Sequence, residues 1–211
     1  MRQLYSPVLL GMSLHAAVWA VDVPMPETVV RNASREVLEV VRKEKLTFRD
    51  KRFKDLIESR ALSNFDFARM TALAVGKGWR DANELQRSLL VREFRTLLVR
   101  TYSMALSAQS IKDIEVKPVR LVEGDNDVVV HTEVETSSGQ TFPIDYRMIH
   151  IGNTWRACDI SVEGVSLVST YRTSFNQTIE KEGIEGLIRQ LQARNAAARQ
   201  KGKPNNADDT P

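Results

Sequence analysis

Three consecutive stretches decide the fold: Asp127–Thr136 (DVVVHTEVET), Gln140–Ile151 (QTFPIDYRMIHI) and Thr154–Val162 (TWRACDISV). Each is rich in β-branched and aromatic residues, and each is bounded by turn formers. Ser137-Ser138-Gly139 separates the first two, and Gly152-Asn153 separates the second from the third. Gaps this short join antiparallel neighbours. Upstream, Ile114–Val122 reads as a further strand, ended by Glu123-Gly124-Asp125-Asn126. The expectation is a curved antiparallel four-stranded meander. Phe142, Ile144, Tyr146 and Met148 alternate onto one face of it. A face that large and apolar must be covered.

Only helices are available as cover. Before the strands, Val30, Ala33, Val37, Leu38 and Val41 recur at helical spacing, with Pro26 suited to the first turn and an end near Lys45. Thr47 and Asp50 open a second helix carrying Phe53, Leu56 and Ile57. Ser63 or Asn64 caps a third, with Asp66 in its first turn, and Gly76 ends it. A longer helix begins at Asp81 with the stripe Leu85, Leu89, Leu90, Phe94, Leu97, Leu98, Tyr102 and Leu106. After the strands, Val165, Val168, Tyr171, Phe175 and Ile179 keep helical spacing until Gly183 breaks it, and Ile184, Leu187, Ile188 and Leu191 form a last helix. Helices, then strands, then helices make an α+β chain, with the sheet covered on one face by N- and C-terminal helices.

The 211 residues suit one domain. Met1–Ala20 reads as a signal peptide: Arg2 is the positive n-region, Val8–Ala20 the apolar stretch, and Val18 and Ala20 the small residues before cleavage. Residues 21–199 then form a single domain, and 200–211 a flexible polar tail. The expected location is a periplasm. No apolar run reaches the roughly 18 residues of a membrane span. Lys and Arg number 30 against 27 Asp and Glu, too balanced for nucleic-acid binding. A lone cysteine, Cys158 in an apolar run, excludes a disulfide framework and reads as a buried, inert thiol.

Catalytic motifs are incomplete. Gly164-Val165-Ser166-Leu167-Val168 approaches a nucleophile elbow but ends in Val. His131-Thr132-Glu133 lacks the cysteine pair of a zinc deaminase, and no other metal site or phosphate-binding loop is readable. Asp145 and Asp159 sit within apolar strands, where a carboxyl can have a raised pKa and act as a base. They equally suit strand ends or pairing with Arg147 or Arg156. An enzyme reading would use one of these acids as base and Tyr146 or Tyr171 as a donor to an apolar substrate.

In order and spacing, several segments resemble the MlaC family of periplasmic phospholipid carriers, the toluene-tolerance auxiliary components of ABC transporters. They are Phe65-Asp-Phe67 with Met70, Gly76, Trp79-Arg80, Gln86, Phe94-Arg95, Leu97-Leu98, Arg100-Thr-Tyr102, Val128–Val130, Asp145-Tyr146, Trp155, Asp159 and Val162-Glu-Gly-Val-Ser-Leu-Val168, then Tyr171-Arg172, Phe175, Gly183 and Leu187. The resemblance covers about residues 25–195 and is weak before Phe65. It implies a non-enzymatic shuttle between an outer-membrane lipoprotein–porin complex and an inner-membrane ABC transporter bearing an MCE-domain protein, serving outer-membrane lipid asymmetry. The cargo is phospholipid, with no cofactor. A carrier needs an apolar cavity between sheet and helices. The expected lining is Phe67, Met70, Leu73, Phe94, Leu98, Tyr102, Tyr146, Val165, Val168 and Phe175, with Arg80, Arg147 and Arg172 as headgroup candidates.

Overall fold

The computed structural model describes residues 23–46, 50–108 and 111–201. The expected signal segment, Thr47 and nearly all of the expected tail lie outside the described residues. Five strands form one antiparallel sheet in chain order: β1 Ile111–Val116, β2 Asp127–Thr136, β3 Thr141–Ile151, β4 Thr154–Val162 and β5 Val165–Ser166. The meander is the expected one, with three differences: the first strand begins at Ile111 rather than Ile114, it ends early, and a fifth strand is added. The first strand stops at Val116 rather than Val122. Beyond it the last rung is Lys117 N–H to His131 O (2.9 Å), and Pro118 has no N–H to continue the ladder. The fifth strand arises because Glu163 and Gly164 both take positive φ (50° and 79°), which closes a tight hairpin that returns Val165 to Val162.

The sheet bends at two register shifts, one at Ile111/Asp113 and one at Arg147/Met148. At the second, Arg147 faces Asp159 and Met148 faces Ala157, which leaves Cys158 as the extra residue of a bulge. The thiol is buried, and burial pushes its pKa up to about 11, so it stays protonated and unreactive. Val128, Val130, Thr132 and Val134 pair with Met148, Tyr146, Ile144 and Phe142, all on the face that turns inward.

The helices are α1 Pro26–Glu44, α2 Lys51–Leu56, α3 Phe67–Val75, α4 Gly78–Asp81, α5 Glu84–Ala108 and α6 Leu167–Lys201. The last is kinked at Gly183, whose φ of 68° and ψ of −174° only glycine adopts readily. Between α2 and α3 the chain winds through a π turn, Ile57–Ala61, and a 3-10 turn, Leu62–Asn64. Asp66, rather than Ser63 or Asn64, caps α3, accepting from Arg69 N–H (2.8 Å). The shift has a tertiary cause: Asp66 N–H bonds Ala157 O (2.9 Å), which pulls Phe65-Asp66 into extended backbone beside β4. Asp81 ends α4 instead of opening the long helix, which starts through a reciprocal Asn83–Gln86 capping box (both bonds 2.9 Å).

Two apolar clusters result. One joins α3, α5 and α6 around Phe94, whose ring meets Tyr171 and Phe175 edge-on at 5.1 Å each. The other packs α1 on the sheet around Val130, Met148 and Trp155.

Candidate functional site

The two clusters do not merge. A cavity of about 620 Å³ lies between them, touching Met70, Leu98 and Leu167 of the helical cluster and Val30, Met148 and Ala157 of the sheet cluster. Its walls follow from periodicity. Val30, Ala33, Val37 and Val41 are the inward stripe of α1; Phe53, Ile57 and Ala61, four apart, line it from α2 and the π turn. Phe65, Phe67 and Met70 come from the start of α3, and Leu98, Val99 and Tyr102 from α5. Ile111 and Ile114 of β1, Tyr146 and Met148 of β3, and Ala157 and Ile160 of β4 form the sheet side. Among the described residues, no charged side chain lines it.

The segment of α2 and the π turn is one wall. Ion pairs tie it to its neighbours: Arg60 to Glu36 of α1 (3.2 Å), and Glu58 to Arg95 of α5. The Arg95 guanidinium also lies 5.2 Å over the Phe67 ring. These pairs are solvent-exposed and contribute little each, so apolar packing holds the wall. At the end of α1 the cavity adjoins a shallow polar recess of Arg42, Lys112, Asp113, Glu135 and Ser137, and Ile111 borders both. There Lys112 Nζ is 2.6 Å from Glu135 Oε1.

Two phenols line the cavity. Burial, and then the charge and hydrogen bond of Tyr171, push the Tyr102 hydroxyl up. Burial alone pushes Tyr146 up to about 12. Tyr146 is mostly covered, and it contributes to the cavity wall.

The sequence pattern of the MlaC protein family matches residues 31–193. The chain belongs to the MlaC family. The toluene tolerance protein Ttg2D of Pseudomonas putida is 24% identical over 104 residues, and the match spans 49% of this chain and 48% of that protein's length. A phospholipid-binding protein from Ralstonia solanacearum, solved in complex with a phospholipid, is 31% identical; the superposition has a TM-score of 0.74 and covers 82% of this chain and 98% of that one.

Within this MlaC-family fold the ten expected lining residues divide. Phe67, Met70, Leu98, Tyr102 and Tyr146 are on the cavity wall. Phe94, Val168 and Phe175 are not; they close the helical core, with Leu73 half-buried against it. Their stripes are as apolar as the lining stripes, but α3, α5 and α6 meet directly there. Val165 is 60% exposed, because the β5 hairpin turns it outward.

The three headgroup candidates stand apart from the cavity. Arg147 forks onto Asp127 (Nε–Oδ1 2.9 Å, Nη2–Oδ2 2.6 Å) on the outer sheet face. That hydrogen bonding holds the Asp127 carboxyl below the usual range. Arg172 Nε donates to Leu73 O (2.8 Å) near the end of α3. Arg80 is exposed on α4, and its carbonyl accepts from Arg87 Nη2 (3.2 Å).

Asp145 and Asp159 are likewise off the cavity. Asp145 pairs with His131 Nδ1 (2.9 Å) on the outer face. Asp159 is architectural: it accepts from Ile160 N–H (2.8 Å), Val168 N–H (3.1 Å) and Ser166 Oγ (2.5 Å). It thereby caps the start of α6, and Ser166 is the helix-start serine of that cap rather than a nucleophile. The lining residues of α1 and the π turn were legible as stripes, but not as lining.

Proposed function

We propose that this chain is a phospholipid carrier, holding acyl chains in the cavity and shuttling lipid across the periplasm between an inner-membrane ABC transporter and an outer-membrane complex. The observation that carries the reading is the cavity itself. At about 30 Å³ per methylene, close to the share of a water molecule in the liquid, 620 Å³ takes about 20 methylenes. Burying them is worth about 16 kcal/mol, at about 0.8 kcal/mol each. Such a volume lies in the range of ligand pockets, about 300–1,000 Å³. An uncharged lining suits hydrocarbon and gives no foothold for a charged transition state. Family membership and the phospholipid complex of the Ralstonia relative support the same assignment.

The polar end of the cargo belongs at the recess beside Ile111. Arg42 and Lys112 there offer cations to a phosphate, and Asp113 and Glu135 offer anions to an amine. These replace Arg80, Arg147 and Arg172 as the headgroup assignment. A lipid bound by some 16 kcal/mol leaves water-exposed protein too slowly to be useful, so release takes place while the cavity mouth is docked against a partner's apolar channel. Neither carboxylate of the enzyme reading reaches the cavity, which favours carriage over catalysis.

Native mass spectrometry of protein purified from a periplasm without detergent, followed by lipid extraction, tests the proposal. A stoichiometric adduct extracting as phospholipid is expected. An unliganded mass, with no uptake from labelled vesicles, would overturn it.

A further inference from the structure

A buried tyrosine normally finds a partner for its hydroxyl. Tyr102 does so, through Tyr171. Tyr146, at the middle of β3, does not. Its cross-strand neighbours are Val130 and Ile160, both apolar, and no described residue gives its hydroxyl a hydrogen bond. Nor is that oxygen sealed off: the sealed, unpartnered side-chain atoms are Glu27 Oε2, His150 Nε2 and Asn195 Oδ1. The free phenol therefore opens on the cavity whose wall it forms. The other polar side chains on that wall are Ser34, Asn64 and Tyr102; Asn64 donates to Arg60 O and Tyr102 bonds Tyr171. The ligand itself is left to complete the bond.

We propose that Tyr146 is a specificity-determining residue whose hydroxyl donates a hydrogen bond to an acyl-ester carbonyl of the bound lipid. The inference rests on the carrier reading and adds to it. Methylenes offer no acceptor. A phosphate keeps most of its hydration and is served by the recess at Ile111. The ester carbonyls are the acceptors at the junction between head and tails, and they alone travel into an apolar site with the chains. The phenol is neutral at every accessible pH, since burial raises its pKa, so it remains a donor throughout. An ester-linked lipid satisfies it. An ether-linked lipid of equal length lacks the carbonyl and leaves a buried donor unpaired.

The test compares delipidated wild-type protein with Tyr146→Phe, which keeps the ring and the cavity shape. Affinities are measured by competition for two phosphatidylcholines of the same saturated chain length, one diester and one diether, presented in vesicles. Wild type should prefer the diester by about fivefold to tenfold, the range for one buried neutral hydrogen bond. Tyr146→Phe should lose that preference by weakening the diester alone. A wild-type ratio near one, or a ratio that survives in Tyr146→Phe, overturns the assignment while leaving the carrier reading intact. Failure of wild type to take up either lipid overturns both. Thermal unfolding of the lipid-free proteins supplies an independent readout. Removing an unpartnered hydroxyl should leave the midpoint unchanged or raise it. A midpoint lowered by several degrees would mean that the hydroxyl serves the fold, and would also overturn the assignment.

Discussion

Replacing Val37 by glutamate separates a cavity filled by hydrocarbon from one that is merely present. Val37 is half-buried on the inward stripe of α1 and lines the cavity. Glutamate is the better helix former, so α1 tolerates the change. Its neighbours three and four residues away are Ser34, Val40, Ala33 and Val41, none of which carries a positive charge to pair with a carboxylate. In the lipid-free protein the new carboxyl, at a half-exposed position on α1, is reached by water and is taken to titrate near the ordinary value, about 4.3. Against acyl chains it is desolvated. A fully buried carboxyl rises by about 3–5. At a half-buried position about 2 is the fitting figure, or about 3 kcal/mol, a loss of about a hundredfold in affinity at neutral pH.

The sign follows from linkage. The bound-state pKa is the raised one, so lipid binding draws in a proton. Affinity is full below about pH 4, falls with rising pH up to about 6, and is flat above that. Uptake of a labelled phospholipid from vesicles, measured at pH 4.5 and 7.5, should differ by well over tenfold in Val37→Glu and little in wild type. Val37→Gln, polar but uncharged, should show a smaller and pH-independent loss. Wild-type affinity for Val37→Glu at pH 7.5, with circular dichroism reporting an intact fold, would refute the reasoning, because tails would not then lie against α1. So would a loss that persists unchanged at pH 4.5.

Other outcomes concern the frame around the cavity. Phe94→Ala should cost about 3–5 kcal/mol in denaturant unfolding, because Phe94 is fully buried and its neighbours Tyr171 and Phe175 are themselves fixed by packing. Asp159→Ala should cost about 1–2 kcal/mol by uncapping α6, measured in the same way, while a catalytic reading would predict lost activity at unchanged stability. Burial alone would raise the Glu93 carboxyl, yet hydrogen bonds from Asn195 and Arg92, with the charges of Arg92 and Arg199, bring it below the usual value. Its stabilising effect is present above the unfolded pKa and is lost as pH falls through the folded one. Acid unfolding of Glu93→Gln should therefore be less steep than that of wild type. Gly183→Ala should cost about 1–3 kcal/mol, since nothing crowds the added methyl and the whole penalty is conformational.

Much of the fold is legible because its signals are local. Strand alternation at Phe142, Ile144, Tyr146 and Met148, the turns at Gly139 and Gly152, and the break at Gly183 each act through their own φ/ψ or pleat. The misreadings come where tertiary contact overrides a local preference. Asp66 became the cap of α3 because Ala157 O holds its backbone. The early end of β1 at Val116 is the exception, a local effect of Pro118, which has no N–H for the ladder.

The site divides along the same line. Val37 and Leu97 both sit on apolar helical stripes, yet Val37 lines the cavity and Leu97 is fully enclosed in core. Asp145 and Tyr146 are adjacent, yet the pleat sends one to His131 on the outer face and the other into the cavity. By itself, the sequence determined which residues are apolar, at what period they recur, and hence that helices must cover one face of a meander. Only the tertiary structure decided where that cover stands off from the sheet. Periodicity specifies the direction of a side chain from its own backbone, whereas a void depends on the distance between two elements that meet only after folding.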